Sequence, residues 1–264
     1  MIGAITRIAL AALISLGIAP LAVLAMCSRL LGAALATRSL GAVTRLWCRA
    51  VAAGLGVRLR VRGPAPPRPA LLAPNHVSYV DVLAVGSVAG CAFVSRADVA
   101  GWPGIGWLAR LGGTVFLERA RRRDTHRATD DVRRVLASGG RLVVFLEGRA
   151  GPGDRVGPFH SSFLEAAVQT GTACVPVAVS YRLPRRPDLD TRQVVAWHDA
   201  SLFVAHAWRL LRAGPIEADV HVGTPRTGTD RKELAAALEA DVAALLGAAR
   251  VSADRSPAPT ARSA

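Results

Sequence analysis

The stretch Pro74-Asn75-His76-Val77-Ser78-Tyr79-Val80-Asp81 follows directly on the apolar run Ala70-Leu71-Leu72-Ala73. A histidine stands near its start and a carboxylate five positions later. On a continuous helix, residues five apart diverge by roughly 140°. The two side chains therefore meet only if His76 lies in the turn left by Pro74-Asn75 and Asp81 lies in the first helical turn. In that arrangement Asp81 fixes the tautomer of His76 and stabilises its imidazolium, as the carboxylate of a catalytic triad does. A second reading uses the same residues. Ser78-x-x-Asp81 has the form of a capping box, which leaves His76 a bystander.

Outward from this stretch, short apolar runs alternate with helical patterns. Strands are predicted at 57–62, 70–73, 91–95, 113–117, 141–146, 174–180, 192–197 and 216–222, and helices at 79–88, 124–137, 160–170, 201–212 and 231–249. The alternation implies an α/β domain with a mixed, largely parallel sheet flanked by helices. Gly63-Pro64-Ala65-Pro66-Pro67 reads as a turn or linker. The last helix has a clear start, with Asp230 as N-cap, Glu233 three residues on, and Leu234, Leu238, Val242 and Leu245 on one side.

Before this domain, 21 uncharged and mostly apolar residues lie between Arg7 and Arg29. At about 1.5 Å per residue they just suffice for a hydrocarbon core of about 30 Å. From Leu30 to Leu55, Arg38, Arg45 and Arg49 fall on one helical face, as in a helix lying in the membrane interface. Gly17 and Pro20 weaken the first segment as a straight span, so a two-helix anchor in one leaflet and a true crossing are both open. Arginines after the first segment place the catalytic part on the cytoplasmic face of the cell membrane. The expected organisation is an anchor at 1–55, a catalytic domain at 56–250 and a disordered tail at 251–264.

With 264 residues the chain accommodates one sizeable domain and an appendage. Its formal charge of +14 is carried almost wholly by arginine, Lys232 being the only lysine. That charge suits an anionic membrane surface, an acidic carrier or nucleic acid, but the aromatic platforms of a nucleic-acid binder are absent from the sequence. Cys27, Cys48, Cys91 and Cys174 stand far apart, without metal-ligand spacing or the density of a disulfide framework, so no metal site is expected.

Three further stretches end strands: Gly113-Thr114-Val115-Phe116-Leu117-Glu118-Arg119, Leu142 to Arg149 with its Glu147-Gly148 turn, and Cys174-Val175-Pro176-Val177. Ligands of open α/β sheets gather where strands end, so these residues could converge on the His76–Asp81 pair. Singly, each has a plain reading: Arg119 as a surface charge, Glu147-Gly148 as a turn and Pro176 as an edge-strand proline. His126 lies in an arginine-rich patch, His160 is placed to open a helix, and His198-Asp199 with His206 suits core or surface roles.

In their order and spacing these blocks resemble the membrane-bound glycerophospholipid acyltransferases, typified by 1-acylglycerol-3-phosphate acyltransferase. The signature Asn-His-x-Ser-x-x-Asp is complete at Asn75, His76, Ser78 and Asp81, and Gly-x-x-Phe-[Ile/Leu]-x-Arg is matched by Gly113, Phe116, Leu117 and Arg119. Of Phe-Pro-Glu-Gly-Thr-Arg-Ser only Phe145, Glu147 and Gly148 are kept, with Leu146, Arg149 and Ala150 at the Pro, Thr and Arg positions. Pro176 is similar to the proline of the fourth block. The resemblance covers roughly residues 55–225. It implies transfer of a fatty acyl group from acyl-CoA or acyl carrier protein to a lysolipid hydroxyl, without a cofactor. His76 is then the base and Asp81 orients it. Asn75, Ser78, Gly113, Phe116, Arg119, Glu147, Gly148 and Arg149 bind substrate, with Arg119 on the acceptor's phosphate. The acceptor so implied is 1-acylglycerol-3-phosphate, giving phosphatidic acid. Segments 192–222 also resemble a branch acting on lyso-ornithine lipid, which is the alternative acceptor.

Overall fold

The computed structural model describes residues 2–117, 122–199 and 201–254. Two helices come first, α1 (Ile2–Cys27) and α2 (Ala33–Leu55), joined through a 3₁₀ turn at Ser28–Leu31. They are followed by β1 (Val57–Arg62), β2 (Ala70–Pro74), α3 (Val80–Val88), β3 (Ala92–Arg96), α4 (Ile105–Leu111), β4 (Val115–Leu117) and α5 (Arg122–Ala137). The chain continues through β5 (Arg141–Val143), α6 (Leu164–Thr170), β6 (Ala173–Arg182), α7 (Thr191–Val194), α8 (Phe203–Arg212), β7 (Ile216–Val222) and α9 (Arg231–Asp254).

The strands form one sheet in the order β1-β7-β6-β2-β5-β3-β4, parallel except where β6 meets β7. This is the mixed, largely parallel sheet that the alternating pattern implies. Successive side chains point to opposite faces. Leu72, Val143 and Val175 therefore pack with α2 and α3 on one side, while Leu71, Leu142 and Cys174 pack with α5, α6 and α9 on the other. Strands covered on both faces carry unbroken apolar runs, which is why β2 is buried at every position. Asp230 caps α9, accepting the backbone N–H of Lys232 at 2.7 Å and of Glu233 at 2.9 Å.

Four expectations are corrected. Residues 192–197 are not a strand: Asp190 accepts the Arg192 N–H at 2.9 Å, which turns Thr191–Val194 into the short α7. The apolarity of Val194, Val195 and Ala196 reflects core burial, not a ladder. Pro176 lies in an interior strand, at the point where the ladder to β7 begins with Val177, so its missing N–H removes no cross-strand bond there. His160 opens no helix, since α6 starts only at Leu164. Helix α9 continues through Asp254 into the segment expected to be a tail, whose remainder, 255–264, lies outside the described residues. The glycine- and proline-rich segment before β4, which carries no helical signal, contains α4.

Helix α1 is a single helix with Pro20 inside it. Gly3–Leu31 is long and apolar enough to cross a membrane, with a mean hydropathy of 2.5 and only 11% of its most apolar window buried. Its inner side packs on the domain, with Ala11 and Ile14 against the core and the Trp47 Nε1–H donating to Ser15 Oγ at 3.0 Å. Its outer side shows Leu13, Leu16 and Leu24 to the surroundings. Arg38, Arg45 and Arg49 are all exposed on α2, and Arg45 donates to the Ser87 carbonyl at 3.1 Å. Cys48, Cys91 and Cys174 are free and buried, and burial pushes the Cys91 and Cys174 thiols up to about 12, which makes them inert fillers.

The seating of α2 on the domain depends on one close approach. A Cβ on Gly90 would stand 2.1 Å from the Gly41 carbonyl oxygen, so α2 reaches the end of α3 only because Gly90 has none. Gly90→Ala is expected to destabilise the protein by about 1–3 kcal/mol, the usual cost of overpacking. Thermal unfolding in detergent checks this, with a melting temperature lowered by about 2–4 °C for each kcal/mol.

Candidate active site

Strand β2 carries the chain to the carboxyl-terminal edge of the parallel strands, and Pro74 ends its pairing there. Asn75 continues the ladder with its side chain: its amide donates to the Val179 carbonyl at 3.0 Å and its oxygen accepts the Val179 N–H at 2.7 Å. Both polar ends of a side chain that is 1% exposed are thus engaged with β6, and Asn75 fixes the turn that follows.

Asp81 lies in the first turn of α3 and is fully buried. Its Oδ2 accepts the His76 Nδ1–H at 2.7 Å and the backbone N–H groups of Val77 at 2.7 Å and Ser78 at 2.9 Å. Its Oδ1 accepts the Tyr181 hydroxyl at 2.5 Å. Two oxygens facing four donors require the carboxylate form, because an acid proton would point at another donor. His76 therefore carries its proton on Nδ1 and keeps the Nε2 lone pair free to act as a base. Burial, reinforced by Asp81, pushes the Tyr181 phenol well above its ordinary value, so Tyr181 stays a donor.

The capping box does not form in the expected way. Tyr79 occupies the N-cap position without a side-chain bond, and Ser78 Oγ is buried with no partner among the described residues. Part of that second reading survives: the Asp81 carboxylate does hold backbone amides, those of Val77 and Ser78, so it shapes the turn as well as the ring.

The loop after β5 completes the support of His76. Phe145 stacks on the imidazole with centroids 4.0 Å apart and planes 24° apart. Glu147 Oε1 accepts the His76 backbone N–H at 2.7 Å and Oε2 accepts the Gly157 N–H at 2.8 Å. The His76 carbonyl in turn accepts the Gly151 N–H at 2.8 Å. Burial raises the Glu147 pKa, and the two amides oppose that rise only in part. Glu147 thus ties the loop to the histidine. Gly148 closes its turn by donating to the Phe145 carbonyl at 3.0 Å, and Arg149 next to it is exposed.

Gly113 lies at the other end of the sheet, in the turn between α4 and β4, where φ is 71° and a Cβ would meet Leu40 at 2.8 Å. Phe116 sits within β4 under the Arg110 guanidinium, 5.9 Å from the ring centroid. Neither is brought to His76. Arg119 lies outside the described residues, as does the side chain of His126. His206 is buried, its Nε2–H donating to the Ala196 carbonyl at 3.0 Å and its Nδ1 accepting the Tyr79 hydroxyl at 3.1 Å. Burial lowers its pKa, the bond to Ala196 opposing, which keeps the ring neutral for those two bonds. His198, Asp199 and His160 are exposed. The sequence reading missed Tyr181 and the stacking role of Phe145. Strand alternation after Val177 and Val179 places Tyr181 on their face, but nothing local pairs it with Asp81.

Beside the pair, a cleft of about 230 Å³ opens between Val77 and Tyr181. Asp154, Asp190 and Asp219 contribute carboxylates to it, and Arg182 and Arg192 contribute guanidinium groups.

A histidine oriented by a buried carboxylate at the strand ends of an α/β sheet is an arrangement that can take a proton from a hydroxyl. Comparison with known proteins narrows this. The acyltransferase family model matches residues 58–180. The chain is 35% identical over 195 residues to a lyso-ornithine lipid O-acyltransferase of Pseudomonas aeruginosa, covering 73% of this chain and 74% of that protein. It is 33% identical over 135 residues to a 1-acyl-sn-glycerol-3-phosphate acyltransferase of Neisseria meningitidis, covering 50% of this chain and 53% of that one. The crystal structure of the 1-acyl-sn-glycerophosphate acyltransferase PlsC from Thermotoga maritima shares the fold, with a TM-score of 0.61 over 81% of each chain at 20% identity. The protein belongs to the acyltransferase family, and within it to the enzymes that acylate lysolipids.

Two substitutions test the pair. His76→Ala is expected to lower kcat by about 10²–10⁴-fold or more, the usual contribution of a general base, while the melting temperature stays close to the parent's. Asp81→Asn is expected to lower both kcat and the melting temperature, because an amide cannot accept all four donors. Tyr181→Phe removes one of the four, a charge-assisted bond worth about 1.5–3 kcal/mol. It should cost stability with a much smaller loss of kcat. Purified-enzyme kinetics and unfolding curves measured side by side decide; an Asp81→Asn enzyme of normal kcat but low stability would reduce Asp81 to a turn-forming residue.

Proposed function

We propose that the protein transfers a fatty acyl group from a thioester, carried by coenzyme A or acyl carrier protein, to the hydroxyl of lyso-ornithine lipid. His76 Nε2 removes the hydroxyl proton as the oxygen attacks the thioester carbonyl. The tetrahedral intermediate then expels the thiolate, and the imidazolium returns the proton to it. Asp81 stabilises the imidazolium meanwhile. Glu147 and Phe145 keep the ring from swinging out of line.

The observation that carries the acceptor is the reach of the likeness. Similarity to the lyso-ornithine lipid enzyme of Pseudomonas aeruginosa extends over 73% of the chain, whereas that to the Neisseria enzyme stops at half. This reverses the preference for 1-acylglycerol-3-phosphate that the signature blocks alone suggest. The cleft beside the pair supports it. Arg182 is already paired with Asp219 at 2.8 Å, and Arg192 with Asp190 at 2.8 Å and Asp154 at 3.8 Å. This leaves little uncompensated positive charge for a phosphate dianion, whereas a rim carrying both signs suits a head group with an ammonium and a carboxylate. Helix α1 flanks the domain along its length, which favours a hairpin seated in one leaflet over a crossing helix, with the catalytic domain at the cytoplasmic surface.

In a competition assay, purified enzyme is expected to acylate lyso-ornithine lipid in clear preference to lysophosphatidic acid. Asp154→Asn should raise KM for the ornithine acceptor severalfold and leave kcat nearly unchanged. The second reading, a phosphate acceptor held by Arg119, requires the opposite preference. It also requires Arg119→Ala to raise KM for lysophosphatidic acid far more than Arg149→Ala does, with partial rescue by Arg119→Lys.

A further inference from the structure

The described residues hold a second feature that catalysis leaves unused, an apolar tip where α8 and α4 begin. Leu202 and Val204 are 79% and 75% exposed, and Trp107 on α4 is 47% exposed. Phe203 between the first two turns inward, with ring centroids 5.4 Å from Trp102, 5.8 Å from Trp197 and 4.9 Å from Tyr79. The Trp197 Nε1–H donates to the Ser201 carbonyl at 3.0 Å, and the His206 Nε2–H to that of Ala196. A tip braced in this way holds Leu202 and Val204 out against the hydrophobic effect, so they are positioned for an apolar partner.

Helix α8 links the tip to the apolar first helix, which contacts the opposite end of α8. Arg7 of α1 donates to the Leu211 carbonyl at the far end of α8 at 3.4 Å, and Ala25, Met26 and Arg29 share a cleft with Arg110 at the far end of α4. Helix α1 is thus flanked by the far end of α8 near its start and by the far end of α4 near its end, while Trp102, in the loop that leads into α4, packs on Phe203 of α8 at the tip. The far ends of both helices carry exposed arginines, Arg209, Arg212 and Arg110. Apolar groups rimmed by arginine form the pattern of a surface seated among lipid headgroups, with cations against anionic lipid.

We infer that the tip is a membrane contact of the catalytic domain itself, with Leu202, Val204 and Trp107 entering the same leaflet that receives the outer face of α1. The inference concerns the bilayer and is independent of which head group the acceptor carries. It also joins the membrane to the chemistry. Tyr79, the residue after Ser78 in the catalytic turn, packs on Phe203 and donates to His206, both on α8. The aromatic cluster therefore lies between the bilayer and the turn that holds His76, and a lysolipid reaches the base with its chain still in apolar surroundings.

The test uses the full chain in detergent and in vesicles of mixed phosphatidylcholine and phosphatidylglycerol. The double substitution L202D/V204D is expected to lower acylation of vesicle-embedded acceptor by about tenfold or more, through loss of apolar contact with lipid. Activity on the same acceptor in detergent micelles should stay within about twofold of the parent, since neither side chain packs into the fold. Independently of activity, a Val204→Trp variant should show added emission that lipids brominated on their acyl chains quench. Equal activity of parent and double variant on vesicles, or equal losses in vesicles and micelles, overturns the inference. So does an unquenched Trp at 204, or a detergent-stable dimer that the double substitution abolishes.

Discussion

A fully buried carboxylate is the constraint on which the rest of the site depends. Removing an ionised group from water costs several kcal/mol even after the protein relaxes, and only close, well-aimed donors offset it. Asp81 has four, and they come from two places in the chain: His76, Val77 and Ser78 in the turn, and Tyr181 at the end of β6. Satisfying the first three forces a tight turn directly after β2. Satisfying the fourth requires β6 to run beside β2, which the Asn75–Val179 clamp secures at the same level. The sheet order and the geometry of the catalytic histidine are therefore one requirement. The donors that make the buried charge tolerable also set the tautomer of the base.

This explains which parts of the site were legible beforehand. The His76–Asp81 contact lies within six residues, and the impossibility of meeting on a straight helix already implied the turn that the structure contains. The alternation of apolar runs likewise gave the mixed sheet, because burial on both faces leaves a mark on each strand separately. Tyr181 left no such mark, standing 100 residues from its partner. Phe145 and Glu147 were visible as a turn at a strand end, but their contact with His76 depends on the pairing of β5 with β2, a tertiary fact. Residues 192–197 misled for the related reason that burial makes an apolar run whether or not the backbone extends. Gly113 was expected to bind substrate, but what the structure shows there is a backbone role, a positive φ in the turn before β4 at the opposite end of the sheet.

Charge and apolarity divide the molecule in a way composition alone could not reveal. The +14 excess is spread over the surface, whereas the cleft beside the pair gathers three carboxylates against two arginines. A chain attracted to anionic surfaces by its overall field thus keeps a locally balanced pocket at its catalytic edge. A net positive field of this kind attracts anionic surfaces and is screened within about 10 Å at 0.1 M salt. In the proposed function, selection of the head group is short-range and falls to the few side chains around that cleft.

The same geometry argues for transfer in a single displacement. A covalent acyl-enzyme needs a nucleophile within reach of the base, and neither Ser78 nor the cysteines are placed to serve as one. Ser78 is fully buried, with its backbone amide held by the carboxylate that orients the histidine. Cys48, Cys91 and Cys174 are buried, and Cys27 sits at the end of α1. His76 is fixed on three sides, by Asp81 at Nδ1, by Phe145 on its ring face and by Glu147 on its backbone, so only Nε2 faces an incoming group. A base so restrained can serve one oxygen at a time. In the proposed transfer the acceptor hydroxyl occupies that position, which makes the attacking atom part of the lipid and not of the protein. The thiolate displaced in that proposal is a good leaving group, with an ordinary thiol pKa of about 8.5. The proton that His76 takes up in that scheme can return to the thiolate, so the proposal calls for no second acid.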